Sequence, residues 1–319
     1  MIRIVFMGSP AEVLSPLAAL YHHQHHEIFK LVGVVSQPAK PKGRRGKVTD
    51  TPVAEYAKNA GMTLFLPKKS KDEDFLTDLR DLKPDLVVTA AYGQILSDGF
   101  LAIPTHGTIN IHPSLLPQYR GATPVQQALL NGDEITGVSI LRTVTELDAG
   151  PLITQKKVPI LPEETSEMLQ KRLFELSSEM LVDAIKELYQ HGSWNESHQD
   201  GTNVSFCRKI LKEHGQMNWQ WTQKGVMNRF RAFTPWPGLY AFLGGKRVQL
   251  TEMGWPSTVP EHQLNPGAFT YDKKNKSLLV SCKNGWIQLI KLKWEGKKEI
   301  DGTSFWNGLK MGDKRIFDE

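Results

Sequence analysis

The chain has 319 residues, 40% of them apolar and 23% charged, which excludes a disordered polypeptide and leaves room for two cores. No apolar run approaches the ~20 residues of a membrane-spanning helix, and Cys207 and Cys282, the two cysteines, make no disulfide framework or Cys-based zinc motif, so a reducing, cytoplasmic setting is expected. The net charge of +5 hides an asymmetry: residues 209–319 carry 18 Lys and Arg against 10 Asp and Glu, residues 1–208 carry 21 against 24, and a polyanionic partner is expected for the basic tail.

The N-terminus reads directly as a strand, so no leader peptide is expected. Ile2–Met7 and Leu31–Ser36 are short β-branched runs, and Pro10–Tyr21 between them reads as a helix. Gly8-Ser9-Pro10 lies at the strand-to-helix turn. It lacks the further glycines of a dinucleotide fingerprint and reads as a tight turn, not an NAD site. His22, His23, His25 and His26 cluster near the helix end. No carboxylate or Cys completes a ligand set, so a solvated surface cluster and no metal is expected. Lys40–Lys47 follows the second strand, and five of its eight residues are cationic. Its Pro and Gly predict an irregular loop at the carboxyl edge of the sheet, suited to phosphate contact or simply a mobile connection.

Pro52–Gly61 and Asp72–Leu82 are the next predicted helices, the second with Phe75, Leu76, Leu79 and Leu82 at helical spacing. Strands are predicted over Asp85–Ala91 and Gly107–His112, a helix over Thr123–Leu130, and strands over Gly137–Val144 and Leu152–Ile160. Thr165–His191 is the longest predicted helix, with Leu169, Leu173, Leu176 and Met180 as a core stripe. The alternation argues for a doubly wound, mostly parallel α/β sheet. Ser193–Thr202 is polar and turn-rich and reads as a linker. Beyond it, Arg247–Thr251, Ser277–Ser281 and Trp286–Lys293 are short alternating runs, as in a small β-barrel or sandwich. In Phe233–Gly238, Trp236 is weighed between base stacking and the core, and the core role is the expectation. The boundaries follow: an α/β domain over 1–190, a linker over 191–208 and a basic β domain over 209–319.

Asn110 and His112 carry the chemistry. A period of two places both on one face of the Gly107–His112 strand, with Ile109 and Ile111 on the other. Two polar side chains near the end of a buried strand are costly unless partnered, and the crevice beyond the carboxyl ends of such strands is where ligands bind. An amide and an imidazole there suit chemistry on a carbonyl. Asp148, in a loop before Gly150, is either ordinary turn chemistry or a carboxylate that orients His112 and stabilises its charged form.

The run Asn110-Ile-His112-Pro-Ser114-Leu-Leu-Pro117, then Tyr-Arg-Gly121, with Asp148-Ala-Gly150 downstream, resembles the folate-dependent formyltransferases. Gln37-Pro38, Ala91–Leu96, Glu134–Val138 and Arg231–Pro237 resemble the members that act on methionyl-tRNA. The resemblance implies a Rossmann-like formyltransferase domain followed by an OB-like barrel. It implies Asn110, His112 and Asp148 as the catalytic trio. Asn110 and His112 would donate hydrogen bonds to the developing oxyanion, and Asp148, if near, would raise the His112 pKa and keep it a donor. Ser114, Leu115, Leu116 and Pro117 would line the folate site, with Tyr92, Gly93, Ile95 and Leu96 near the pteridine. Lys42, Arg44, Arg45 and Lys47 would meet the acceptor end of initiator tRNA, the doubled Arg44-Arg45 leaving two positions for the key loop arginine. The implied reaction moves the formyl group of 10-formyltetrahydrofolate to the methionyl-tRNA amine, in a cytoplasmic monomer with no metal and no membrane contact. Formyl transfer to a small amine, formylfolate hydrolysis and non-catalytic RNA binding are the alternatives.

Overall fold

β-Branched runs buried on both faces can be satisfied only inside a sheet covered on both sides, and the front half of the chain is built that way. The computed structural model describes residues 1–24, 27–42, 47–310 and 314–318. They form two compact units, one of residues 1–124, 135–159 and 169–207, the other of residues 125–134, 160–168 and 208–319. In chain order, the strands of the first unit are β1 (Ile2–Gly8), β2 (Phe29–Val35), β3 (Lys40–Lys42), β4 (Lys47–Thr49), β5 (Leu64–Phe65), β6 (Leu86–Ala90), β7 (Thr108–His112), β8 (Arg120–Gly121), β9 (Ile135–Arg142), β10 (Leu152–Pro159) and β11 (Phe206–Cys207). The helices begin with α1 (Leu14–His23), α2 (Pro52–Asn59), α3 (Glu73–Asp81), α4 (Asp98–Leu101), α5 (Pro124–Asn131) and α6 (Ser166–His191).

The main sheet has the order β10-β9-β7-β6-β1-β2-β5. Its β7-β6-β1-β2-β5 portion is parallel, whereas β9 runs antiparallel to β7 and to β10. The mostly parallel α/β class is therefore as expected. The side chains of Val5, Met7, Val35, Val87, Phe75, Leu79 and Phe100 form one apolar cluster. Thr51 caps α2 by accepting from the Ala54 N–H, and Pro52 opens the helix.

One expectation changes here. The flanks of Lys40–Lys47 are not irregular, because Lys40–Lys42 pairs antiparallel with Lys47–Thr49. A two-stranded ladder leaves alternate N–H groups unpaired, so Pro41 is tolerated within it. Arg44 and Arg45 lie outside the described residues, as do His25 and His26. Within and just after Ser193–Thr202, Ser197 bridges Leu152, Gln199 accepts from Arg120 of β8, and Ser205 accepts from the Tyr119 N–H before it.

The second unit carries α7 (Gln223–Phe233), β12 (Leu239–Leu243), β13 (Lys246–Gly254), β14 (Phe269–Asp272), β15 (Ser277–Cys282), β16 (Gly285–Trp294), β17 (Glu299–Asp301) and α8 (Gly302–Asn307). The strands form an antiparallel sheet of order β12-β13-β16-β15-β14, with β17 on β16. Residues 315–318 link its two edges. The Asp318 N–H donates to the Phe242 carbonyl of β12 at 2.7 Å, and the Phe269 N–H of β14 donates to the Arg315 carbonyl at 2.9 Å. The segment thus bridges toward both edge strands, which is how a small sheet closes toward a barrel. Trp236 is 55% exposed, contrary to the core expectation. The Gly238 N–H closes the turn onto the Phe233 carbonyl at 2.9 Å. Phe233 takes the buried position, leaving Trp236 within the turn facing solvent.

Candidate active site

Register decides which polar groups of the central strands meet. Thr89 of β6 stands beside Asn110 of β7, and its hydroxyl donates to Asn110 Oδ1 at 2.9 Å. The same hydroxyl lies 3.1 Å from the Ile109 carbonyl, so the amide orientation is fixed from its other side, where the Asp148 carboxylate can only accept. Asn110 Nδ2 faces Asp148 Oδ1 at 3.4 Å. On the same face, His112 Nδ1 lies 3.8 Å from Asp148 Oδ2. The three residues nominated for chemistry are thus brought together, Asp148 arriving on the loop between β9 and β10.

That loop is tightly held. Asp148 Oδ2 accepts from the Gly121 N–H at 2.8 Å, and Gln199 Nε2 donates to the Asp148 and Gly150 carbonyls at 2.7 and 2.8 Å. Asp148 has φ 49, a left-handed conformation uncommon for a residue with a Cβ. Two glycines permit the close approaches. Gly121 has φ 117, and a Cβ there would stand 2.4 Å from the Cys207 carbonyl oxygen. At Gly150 a Cβ would meet the Arg142 carbonyl oxygen at 1.8 Å.

At His112 burial outweighs Asp148, which pulls in the expected direction. The side chain is 5% exposed, and burial pushes its pKa below the ordinary value, outweighing the upward pulls of Asp148 and the Tyr119 carbonyl. The imidazole is therefore neutral at neutral pH, not held charged. Nε2 lies 2.9 Å from the Tyr119 carbonyl oxygen. A carbonyl only accepts, so Nε2 carries the proton and Nδ1 presents its lone pair. The 3.8 Å gap to Asp148 is too long for a hydrogen bond, in keeping with a bare Nδ1. Such a pair can take up a proton at Nδ1 and convert to an ion pair.

The Ser114–Pro117 turn is equally built. Ser114 Oγ donates to the Gln118 carbonyl at 2.8 Å. Ser139 Oγ donates to the Ser114 carbonyl at 2.7 Å and accepts from the Leu116 N–H at 3.1 Å, and Gln155 Nε2 donates to the Leu116 carbonyl at 3.0 Å. Leu116 is buried, whereas Leu115 and Pro117 are partly exposed. In the Tyr92–Leu96 stretch, Gly93 has φ 80 and Ile95 is 90% exposed, an apolar surface that a flat heterocycle could cover. Tyr92 joins the apolar cluster and Leu96 packs against it. The Tyr92 hydroxyl is buried without a hydrogen-bond partner, and burial, then Asp72, push its pKa up to about 12. Lys42 and Lys47 stand opposite each other in the β3–β4 ladder. Among the described residues no group of His, Cys, Asp and Glu could hold a metal, and no helix is long and apolar enough to cross a membrane.

The supporting residues include several that sequence reasoning passed over. Thr89 and Ser139 are polar residues inside apolar strands, and that anomaly was a usable signal. Gln199 and Ser205 gave none, because their partners lie 49 to 86 residues away along the chain.

Comparison with known proteins bears on the chemistry. A formyl transferase family model matches residues 2–185, and a formyl transferase C-terminal domain model matches residues 209–310. The methionyl-tRNA formyltransferase of Dictyoglomus thermophilum is 34% identical over 310 residues, covering 97% of each chain. The chain belongs to the methionyl-tRNA formyltransferase family. The family's Thermotoga neapolitana member is 38% identical over 304 residues, 95% of this chain and 93% of that one. Among solved structures, HypX from Aquifex aeolicus in complex with tetrahydrofolic acid superposes with a TM-score of 0.63 at 15% identity. The match covers 96% of this chain and 47% of HypX, so the two share a fold over about half of HypX.

Proposed function

We infer that this chain transfers the formyl group of 10-formyltetrahydrofolate to the α-amine of methionyl-initiator tRNA, giving N-formylmethionyl-tRNA. The observation that carries the reading is the meeting of Asn110, His112 and Asp148 at the end of β7 in a chain of this family. An α-amine has a pKa of about 8, so a useful fraction is neutral and nucleophilic at cellular pH. As it attacks the formyl carbon, negative charge gathers on the formyl oxygen. Asn110 Nδ2 carries two hydrogens, and with one directed at Asp148 the other is available to that oxygen. A donor of this kind typically contributes about 10²–10³ in rate. The attacking nitrogen must shed a proton. His112 Nδ1 accepts it, Asp148 stabilises the imidazolium, and the proton then passes to the departing folate nitrogen as the carbon–nitrogen bond breaks.

In this reading Ser114, Leu115, Leu116 and Pro117 hold the co-substrate, with Tyr92, Gly93, Ile95 and Leu96 around its pteridine; the exposed Ile95 and the pinned turn support that. Lys42, Arg44, Arg45 and Lys47 grip the acceptor end of the tRNA and the basic residues of 209–319 its body, which supplies the orientation a bimolecular reaction needs. The domains divide at 1–190 and 209–319, and the protein works as a cytoplasmic monomer, in keeping with its buried free thiols. The test is direct. Purified protein with 10-formyltetrahydrofolate and charged initiator tRNA should yield formylmethionine after mild hydrolysis. Formyl transfer to free small amines, or to water, at equal or greater rate would overturn the assignment.

A further inference from the structure

Every polar atom of the Gln199 side chain is used. Nε2 donates to the carbonyls of Asp148 and Gly150, while Oε1 accepts from Arg120 Nε at 3.1 Å and Nη2 at 2.9 Å. Arg120 is 6% exposed, and its Nη1 reaches Glu146 at 3.2 Å. One guanidinium therefore braces the 146–150 loop twice, directly at Glu146 and through Gln199 at Asp148 and Gly150. The next residue, Gly121, supplies the N–H that holds the Asp148 carboxylate. Asp148 itself sits at φ 49. A residue held there persists only where its surroundings over-determine it.

We propose that Gln199, braced by Arg120, is a positioning residue that tethers the backbone of Asp148 so that its carboxylate stays against His112 and Asn110. The chemistry of the head group explains the residue type. One end must donate to two carbonyls and the other must accept from a guanidinium, and among side chains of this length only a primary amide does both. A carboxylate of identical shape would keep Arg120 but turn an oxygen toward two carbonyl oxygens. The kinetic part of the proposal rests on the formyl-transfer reading above; the tether does not.

The test uses the full chain and the variants Gln199→Ala, Gln199→Glu, Arg120→Ala and Arg120→Lys. In both Gln199 variants kcat should fall about tenfold to a hundredfold, as for a displaced reacting group, with KM for charged tRNA and formylfolate within about threefold of wild type. Asp148 is the charged group facing His112, and the Tyr119 carbonyl is its other polar partner. If the carboxylate drifts away, its upward pull is lost and His112 should titrate lower still, read by nuclear magnetic resonance of the imidazole. Arg120→Lys should retain more activity than Arg120→Ala, because an ammonium can still reach Oε1. Should Gln199→Ala fail to fold, the isosteric Gln199→Glu decides. Gln199→Glu with wild-type kcat and an unmoved His112 titration would overturn the proposal, as would a loss confined to KM. The titration needs no substrate, so a wild type that formylates nothing would sink the formyl-transfer reading while the tether is still judged by His112.

Discussion

Replacing Asp148 by Asn keeps the shape and removes the charge. Asp148 Oδ2 and His112 Nδ1 are 3.8 Å apart, with side chains 12% and 5% exposed, so solvent screens the pair poorly. Two unit charges about 4 Å apart interact by about 4 kcal/mol at an effective dielectric constant near 20. Used fully when the imidazole takes up a proton, that is a ceiling of about 10³ in rate. The Gly121 N–H on the same oxygen draws off some of the charge. An Asn oxygen would keep that bond, and its NH2 would then oppose Asn110 Nδ2, donor against donor. Asp148→Asn should therefore lower kcat by about 10²–10³, with little change in substrate affinity, and should move the His112 titration further down. The assay is single-turnover formyl transfer to charged initiator tRNA at saturating formylfolate, alongside the imidazole titration. A kcat within about threefold of wild type, or a His112 titration that rises, would refute the reasoning.

Burial holds the His112 pKa below its ordinary value, so as pH falls the unfolded chain takes up a proton before the folded one. The stability contributed by the neutral imidazole is present above about pH 6.5 and is lost as pH drops toward the folded value. Melting temperature should fall through that window in wild type and less steeply in His112→Gln; parallel curves would count against the buried neutral imidazole. Phe317 is 3% exposed and packs against Trp219 and Phe269 at ring distances of 5.2 and 5.0 Å. Phe317→Ala should cost about 3–5 kcal/mol in calorimetry, and a loss below about 1 kcal/mol would mean that the C-terminal segment does not close the barrel. Neutralising Lys42, Arg44, Arg45 and Lys47 together should raise KM for charged tRNA far more than KM for formylfolate, and the salt dependence of tRNA binding should flatten; equal damage to both substrates would make the loop structural.

What could be read without coordinates was whatever depends on neighbours along the chain. The alternation in Thr108–His112 placed Asn110 and His112 on one face because a strand repeats every two residues. The Leu169–Met180 stripe marked α6 because a helix repeats every 3.6. Gly61 marked the end of the helix that became α2 in the same local way. The Trp236 expectation failed because an apolar residue type does not say which member of a turn goes inward, and Phe233 took that place.

Local pattern determined the sheet class, the strand that carries the candidate site and the charge contrast between the two ends of the chain. Tertiary structure alone decided that Asp148 reaches His112, that the imidazole there is neutral, that Gln199 and Arg120 hold the loop, and that Arg315–Asp318 joins β12 to β14. The physical reason is the same each time: desolvation, and hydrogen bonds between residues dozens of positions apart, depend on which segments are packed together, and no periodicity along the chain encodes that.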